Sequence, residues 1–153
     1  MSNVLRRTVL ASLSAAALAV LPAVAPAQAT SLLTVRDAWI RKPPPGLETA
    51  AVYFTLKNKR SREVFILGVT SPLAKSAMIH ETSTVEGQSR MRMRDRVTVS
   101  ARSEVAFAPE GLHVMLSGLS RPLEVGDKVP LTLQLDQGES VDFVATVRPL
   151  DAK

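Results

Sequence analysis

The 153-residue sequence contains no cysteine and only two histidines. In an oxidising compartment such a chain folds without disulfides, and any metal centre must be assembled from His, Met, Asp or Glu. The missing thiolate excludes a blue-copper electron-transfer site, which sets a cysteine beside its two histidines, and two histidines alone argue against zinc. Paired carboxylates spaced for glycosidase chemistry, a nucleophile elbow and a phosphate-binding glycine loop are also lacking, so an enzyme is not expected. Beyond residue 29 no segment sustains a helical period, and there is no internal repeat, linker or low-complexity tail.

The first 29 residues read as a cleaved secretory signal. "MSNVLRR" is a short positive region and "TVLASLSAAALAVLPAVA" an apolar run, followed by the small-residue cleavage signal Ala27-Gln28-Ala29. Pro22 and Pro26 interrupt the run and no stop-transfer pattern follows, which argues against a membrane anchor. Arg6-Arg7 leaves Sec and twin-arginine export both open. The expected mature domain is residues 30–153, in the periplasm. Its net charge is +3, since the removed segment carries two arginines and no acid. For an exported, mildly basic domain the expected partner is an acidic protein surface, with no role for nucleic acid and no stable membrane insertion.

Short runs of alternating or β-branched residues fill the rest of the chain. "TVRDAWIR" alternates, then "KPPPGLE" breaks it with a rigid loop. "TAAVYFTLKN" and "EVFILGVTS" read as a hairpin joined by the charged connector "KRSR". In the last pair, Val129, Leu131, Leu133 and Leu135 share one face, as do Val141, Phe143, Ala145 and Val147 across a "DQGE" turn. Eight or nine strands in one domain predict an all-β fold, an antiparallel Greek-key sandwich or barrel.

The initiator apart, all four methionines and both histidines lie between Met78 and Met115. Strand periodicity puts Met78 and His80 on one face of "MIH", His113 and Met115 on one face of "HVM", and Met91 with Met93 on one face of "SRMRMRDR". If the three strands converge, thioethers meet imidazoles, a soft neutral donor set that selects copper(I). Without thiolate the metal is held so that it can be handed on, and proton competition at the histidines should weaken affinity below about pH 6. A competing reading is a structural or adhesion-type sandwich whose methionines only fill the core. A redox enzyme would need open coordination positions and a second oxidation state, which this set disfavours.

The spacing His80, ten residues, Met91, twenty-one residues, His113, one residue, Met115 resembles the PCuAC family of periplasmic copper(I) chaperones, which supply the dinuclear copper site of cytochrome c oxidase. The segments "DAWIRKPPPGLETAAVYFTLKN", "GVTSPLAKSAMIHE" and "GLHVMLSGLSRPLEVGDKVPLTL" are also similar to that family. The resemblance implies a cupredoxin-like β-sandwich in which His80, Met91, His113 and Met115 hold one Cu(I) per chain. It implies a transient partner, the acceptor domain of an oxidase subunit; a monomer is the default expectation for such a carrier, with oligomeric state left open. Met93 stands where family members often have proline, so Met91 and Met93 compete for the third ligand position, the gapless count favouring Met91. The C-terminal "VRPLDAK" lacks the His/Met-rich tail with which some members bind a second, copper(II) ion.

Met78 is expected beside the site or in the core, and Trp39 in the core, with a position near the site as the lesser alternative. Glu81 and Asp95 are candidates to orient an imidazole through its second nitrogen. Arg90, Arg92, Arg94 and Arg96 should form a water-exposed row opposite the thioethers, either guarding an edge or steering the chain to an acidic acceptor.

Overall fold

The alternation seen in the sequence becomes a single, strongly curved β-sheet. The computed structural model describes residues 32–152. The expected signal peptide and its cleavage at Ala29 lie outside the described residues. Ten strands follow one another: β1 (Leu33–Arg41), β2 (Thr49–Asn58), β3 (Val64–Thr70), β4 (Ala74–Val85), β5 (Gln88–Met93), β6 (Val97–Val99), β7 (Glu104–Phe107), β8 (Leu112–Leu119), β9 (Lys128–Leu135) and β10 (Ser140–Arg148). Their order across the sheet is β5-β4-β8-β2-β1-β10-β9-β3-β6, with β7 pairing the second half of β2. β3 comes back against β4, so the sheet closes on itself around one core. The sandwich or barrel expectation is met. One pairing departs from an antiparallel sheet, because β1 runs parallel to β10.

β9 and β10 form the hairpin that their alternation predicts, with Val129, Leu131, Leu133, Leu135, Ala145 and Val147 all buried. Aromatic packing fills the same interior: Phe54 stacks on Phe107 with ring centroids 4.3 Å apart and meets Phe143 at 5.1 Å.

The expected β2–β3 hairpin does not form. β2 is occupied on one side by β1 and on the other by β8 and β7, while β3 pairs with β6 and β9. The reason lies in Asn58, which is completely buried at the end of β2. Its side-chain amide donates to the carbonyls of Arg62, Val99 and Ser100, and its oxygen accepts from the Arg60 backbone N–H. "KRSR" is therefore wound around a buried side chain and carries the chain across to the far sheet edge, instead of reversing it in solvent.

Trp39 is buried, as expected, but outside the main core cluster. A register shift between Arg36 and Trp39, with Asp37 at φ 53°, inserts a bulge into β1. Before the bulge Leu33 and Val35 face the core; after it Ile40 does, and Trp39 is turned to the other side of the sheet. There it pairs with Tyr53, ring centroids 4.6 Å apart, under the guanidinium groups of Arg41 and Arg148.

Candidate metal centre

Three adjacent strands, β5, β4 and β8, carry every candidate ligand. β4 and β5 are joined by the two-residue loop Glu86-Gly87, both residues at positive φ (53° and 77°). That is the conformation of a type I′ turn, whose twist matches the flanking strands and fixes the register from Val85–Gln88 outward. Counting back along the pair, Met91 falls opposite Thr82 and Met93 opposite His80. On the other side of β4, His80 pairs with His113 and Met78 with Met115. Directly paired residues share a face, so both histidines and all four methionines project from the same side of the sheet.

On that face the histidines form the centre row. Their ring centroids are 5.8 Å apart and their planes meet at 79°. Met93 lies in the same row on β5; Met91 lies one row to one side, and Met115 with Met78 one row to the other. Directly opposite Cβ atoms sit about 4.5–5.5 Å apart and diagonal ones about 7–8 Å, within reach of a flexible thioether. Met91 and Met115 thus flank the histidine pair from opposite sides. The residues beside Met91 in its row, Thr82 and Gly111, are small, which leaves room for it to lean over the rings.

The two imidazoles are held differently. His113 is 4 % exposed, packs near Tyr53 (ring centroids 6.4 Å) and places Nδ1 3.0 Å from the Gly111 carbonyl. A carbonyl only accepts, so Nδ1 carries the proton and Nε2 keeps its lone pair for a cation. His80 has a buried Nδ1 with no hydrogen-bond partner among the described residues. Such a nitrogen is costly unless something satisfies it, and a bound soft cation would do so. Burial, and next the neighbouring His113, push the His80 pKa below its ordinary value of 6.5, keeping the ring neutral and ready to ligate.

Two expected orienting carboxylates do not touch a ring. Glu81 is engaged by Arg94, whose Nε donates to it at 2.8 Å, and Asp95 lines a depression beside Met78 and Met93. The backbone of Gly111 does the orienting instead, a role no side-chain pattern signals. Tyr53 is a neighbour that sequence reasoning missed, and Trp39 lies beyond it; the row from His113 through Tyr53 to Trp39 follows from strand pairing alone. Met91 and Met93, 54 % and 59 % exposed, are not core residues. The arginine row is divided: Arg94 is paired to Glu81 and Arg96 lies over the Phe65 ring at 4.6 Å. Arg90 and Arg92 remain exposed on the edge strand, without an ionic partner among the described residues.

Comparison with known proteins places this arrangement. The family described as "Putative lipoprotein LpqE-like" matches residues 33–147. The protein "Putative lipoprotein Lxx21020" of Leifsonia xyli subsp. xyli is 33% identical over 115 residues, covering 74% of this chain and 68% of its own length. Among solved structures, the CuI form of DR1885 from Deinococcus radiodurans is 36% identical, with a TM-score of 0.63 over 80% of this chain and 81% of that one. The copper-bound PCuAC domain from PmoF2 is 26% identical, with a TM-score of 0.66 over 79% of this chain and 96% of that one. The match spans all ten strands but the last residue of β10, and with it the face on which the histidines and methionines meet. The chain belongs to the LpqE-like family, the PCuAC family that its histidine and methionine spacing resembles.

Proposed function

We propose that the protein is an exported copper(I) chaperone that carries one tightly held Cu(I) per chain on His80, Met91, His113 and Met115. The observation that carries this reading is the His80–His113 pair, two cross-strand imidazoles on a face that also carries four thioethers. Such a donor set is neutral and soft, so it favours the monovalent ion, and it survives an oxidising compartment because it contains no thiol. The relatives support the choice of metal, since the DR1885 and PmoF2 domains have been solved with copper bound. The structural reading, with methionines as core filler, is disfavoured by the exposure of Met91 and Met93 and by a core built from aliphatic and Phe residues.

The proposed role is carriage and release, not turnover, in the periplasm. The proposed acceptor is the copper site of a respiratory cytochrome c oxidase, which receives the ion by ligand exchange while the metal stays monovalent. Titration of the mature protein with Cu(I) against a chromophoric chelator tests the centre. One tight equivalent is expected, abolished by His113→Ala; a wild-type protein that leaves the chelator loaded would end the copper reading. Incubation of the loaded protein with an isolated oxidase acceptor domain tests delivery, the expected result being transfer of the copper to that domain.

A further inference from the structure

The four proposed ligands use two of the four thioethers on their face. The other two, Met78 and Met93, are not scattered. Met93 is directly opposite His80 across β4–β5, and Met78 precedes His80 by two residues on β4, on the same face. Both line one depression of about 130 Å³, together with Leu67, Gly68 and Asp95, where β3 approaches β4. They are 38 % and 59 % exposed, so neither is there to fill the interior. Asp95 lines the same depression, as does Arg94, whose guanidinium is engaged by Glu81.

We propose that Met78 and Met93, with His80 shared between the two sets, form a second, outer position for a soft monovalent cation, through which copper leaves the inner ligands. This rests on the copper reading above. The spacing allows the shift without backbone movement: Met93 is a direct cross-strand neighbour of His80, Met78 is its neighbour along the strand, and a methionine has three rotatable bonds with which to reach. In the step, bonds from copper to the Met93 and Met78 sulfurs form while those to Met91, Met115 and His113 break. The His80 bond is kept throughout, the ion stays monovalent, and no proton or electron is transferred. The inner set is anchored by the buried His113 beside Tyr53, whereas both outer thioethers, like that of Met91, are open to solvent. An incoming ligand from a partner can reach an ion held on the outer thioethers without displacing the buried His113.

The test uses mature protein carrying ¹³C-methyl methionine, titrated with Ag(I), a redox-inert soft monovalent ion. The first equivalent is expected to shift the methyl signals of Met91 and Met115, and a second, weaker one, held by the outer thioethers alone while His80 stays with the first ion, those of Met78 and Met93. The paired substitution Met78→Leu with Met93→Leu, which conserves volume, should keep the first equivalent within about threefold in affinity and lose the second. It should also slow release of Cu(I) to a chelator. A tight first equivalent with no response of Met78 and Met93 to the second overturns this proposal alone, as does a release rate unchanged by the paired substitution. Loss of the first equivalent in the paired variant overturns it too, by making those residues inner ligands. Absence of any tight equivalent in the wild type overturns the copper reading and this one together.

Discussion

His80 on β4 stands directly opposite His113 on β8, with ring centroids 5.8 Å apart. Two imidazoles at that separation with neutral surroundings can share one small cation, and neither can replace the other because they come from different strands. Substituting His113 by alanine should therefore remove the tight Cu(I) equivalent, with affinity falling by more than the roughly 10–100-fold typical of outer-shell changes. Competition titration against a chromophoric Cu(I) chelator reads this directly. Retention of wild-type affinity would show that the facing pair is not the metal centre.

The pH response of the metal-free fold should have two separate limbs. His80 has its pKa lowered in the folded protein, first by burial and then by His113. Its folded form therefore binds fewer protons than the unfolded chain, and its contribution to stability is present above 6.5 and lost as pH falls through the folded value. Glu139 is also lowered, chiefly by the hydrogen bond from Arg60, so its contribution is present above the ordinary value of 4.5 and lost at more acid pH. Thermal unfolding between pH 3 and pH 8 should show His80→Gln flattening the upper limb and Glu139→Gln the lower. The same lowering at His80 carries copper binding to more acid pH than an unperturbed histidine would allow, which a Cu(I) titration series across pH checks.

Alternation told which side of its own strand each residue occupies, and so grouped Met78 with His80, Met91 with Met93, and His113 with Met115. It could not tell which strands are neighbours. The β2–β3 hairpin failed because the buried Asn58 was indistinguishable in the sequence from an ordinary turn residue, and the parallel β1–β10 pair has no local signature at all. Trp39 is buried as expected, but the face it occupies was not legible, because one extra residue in a bulge inverts every side chain after it. The relation of Met91 and Met93 to His80 was legible in principle, in the Glu86-Gly87 turn, since a two-residue loop dictates the pairing of the whole hairpin.

Asn58 makes a prediction of its own about stability. It is fully buried, and its amide satisfies three carbonyls from two separate segments while its oxygen accepts a backbone N–H. Asn58→Ala would leave those groups buried without that partner, at about 1–3 kcal/mol for each one that water cannot reach. The expected loss is about 2–4 kcal/mol, seen as a lower urea midpoint with an unchanged slope. Asn58→Asp should be at least as damaging, because an ionised carboxylate cannot donate to the three carbonyls. If either variant unfolds with the wild type, the buried network is not what holds the β2–β3 connector.

The last prediction concerns the edge strand. All four arginines around Met91 and Met93 are exposed, but Arg94 is paired with Glu81 and Arg96 lies over Phe65, leaving Arg90 and Arg92 as the charges with no ionic or ring partner among the described residues. They project from the side of β5 opposite the thioethers, so reversing them removes no metal donor. Arg90→Glu with Arg92→Glu should therefore leave Cu(I) affinity unchanged while slowing transfer to an acidic acceptor at low salt, by about 3–10-fold if the charges steer the encounter. The difference should close near 1 M salt, where the screening length is about 3 Å. Stopped-flow transfer measured at both ionic strengths distinguishes the two roles of the row: a rate indifferent to charge reversal at low salt leaves these arginines as guards of an exposed strand edge.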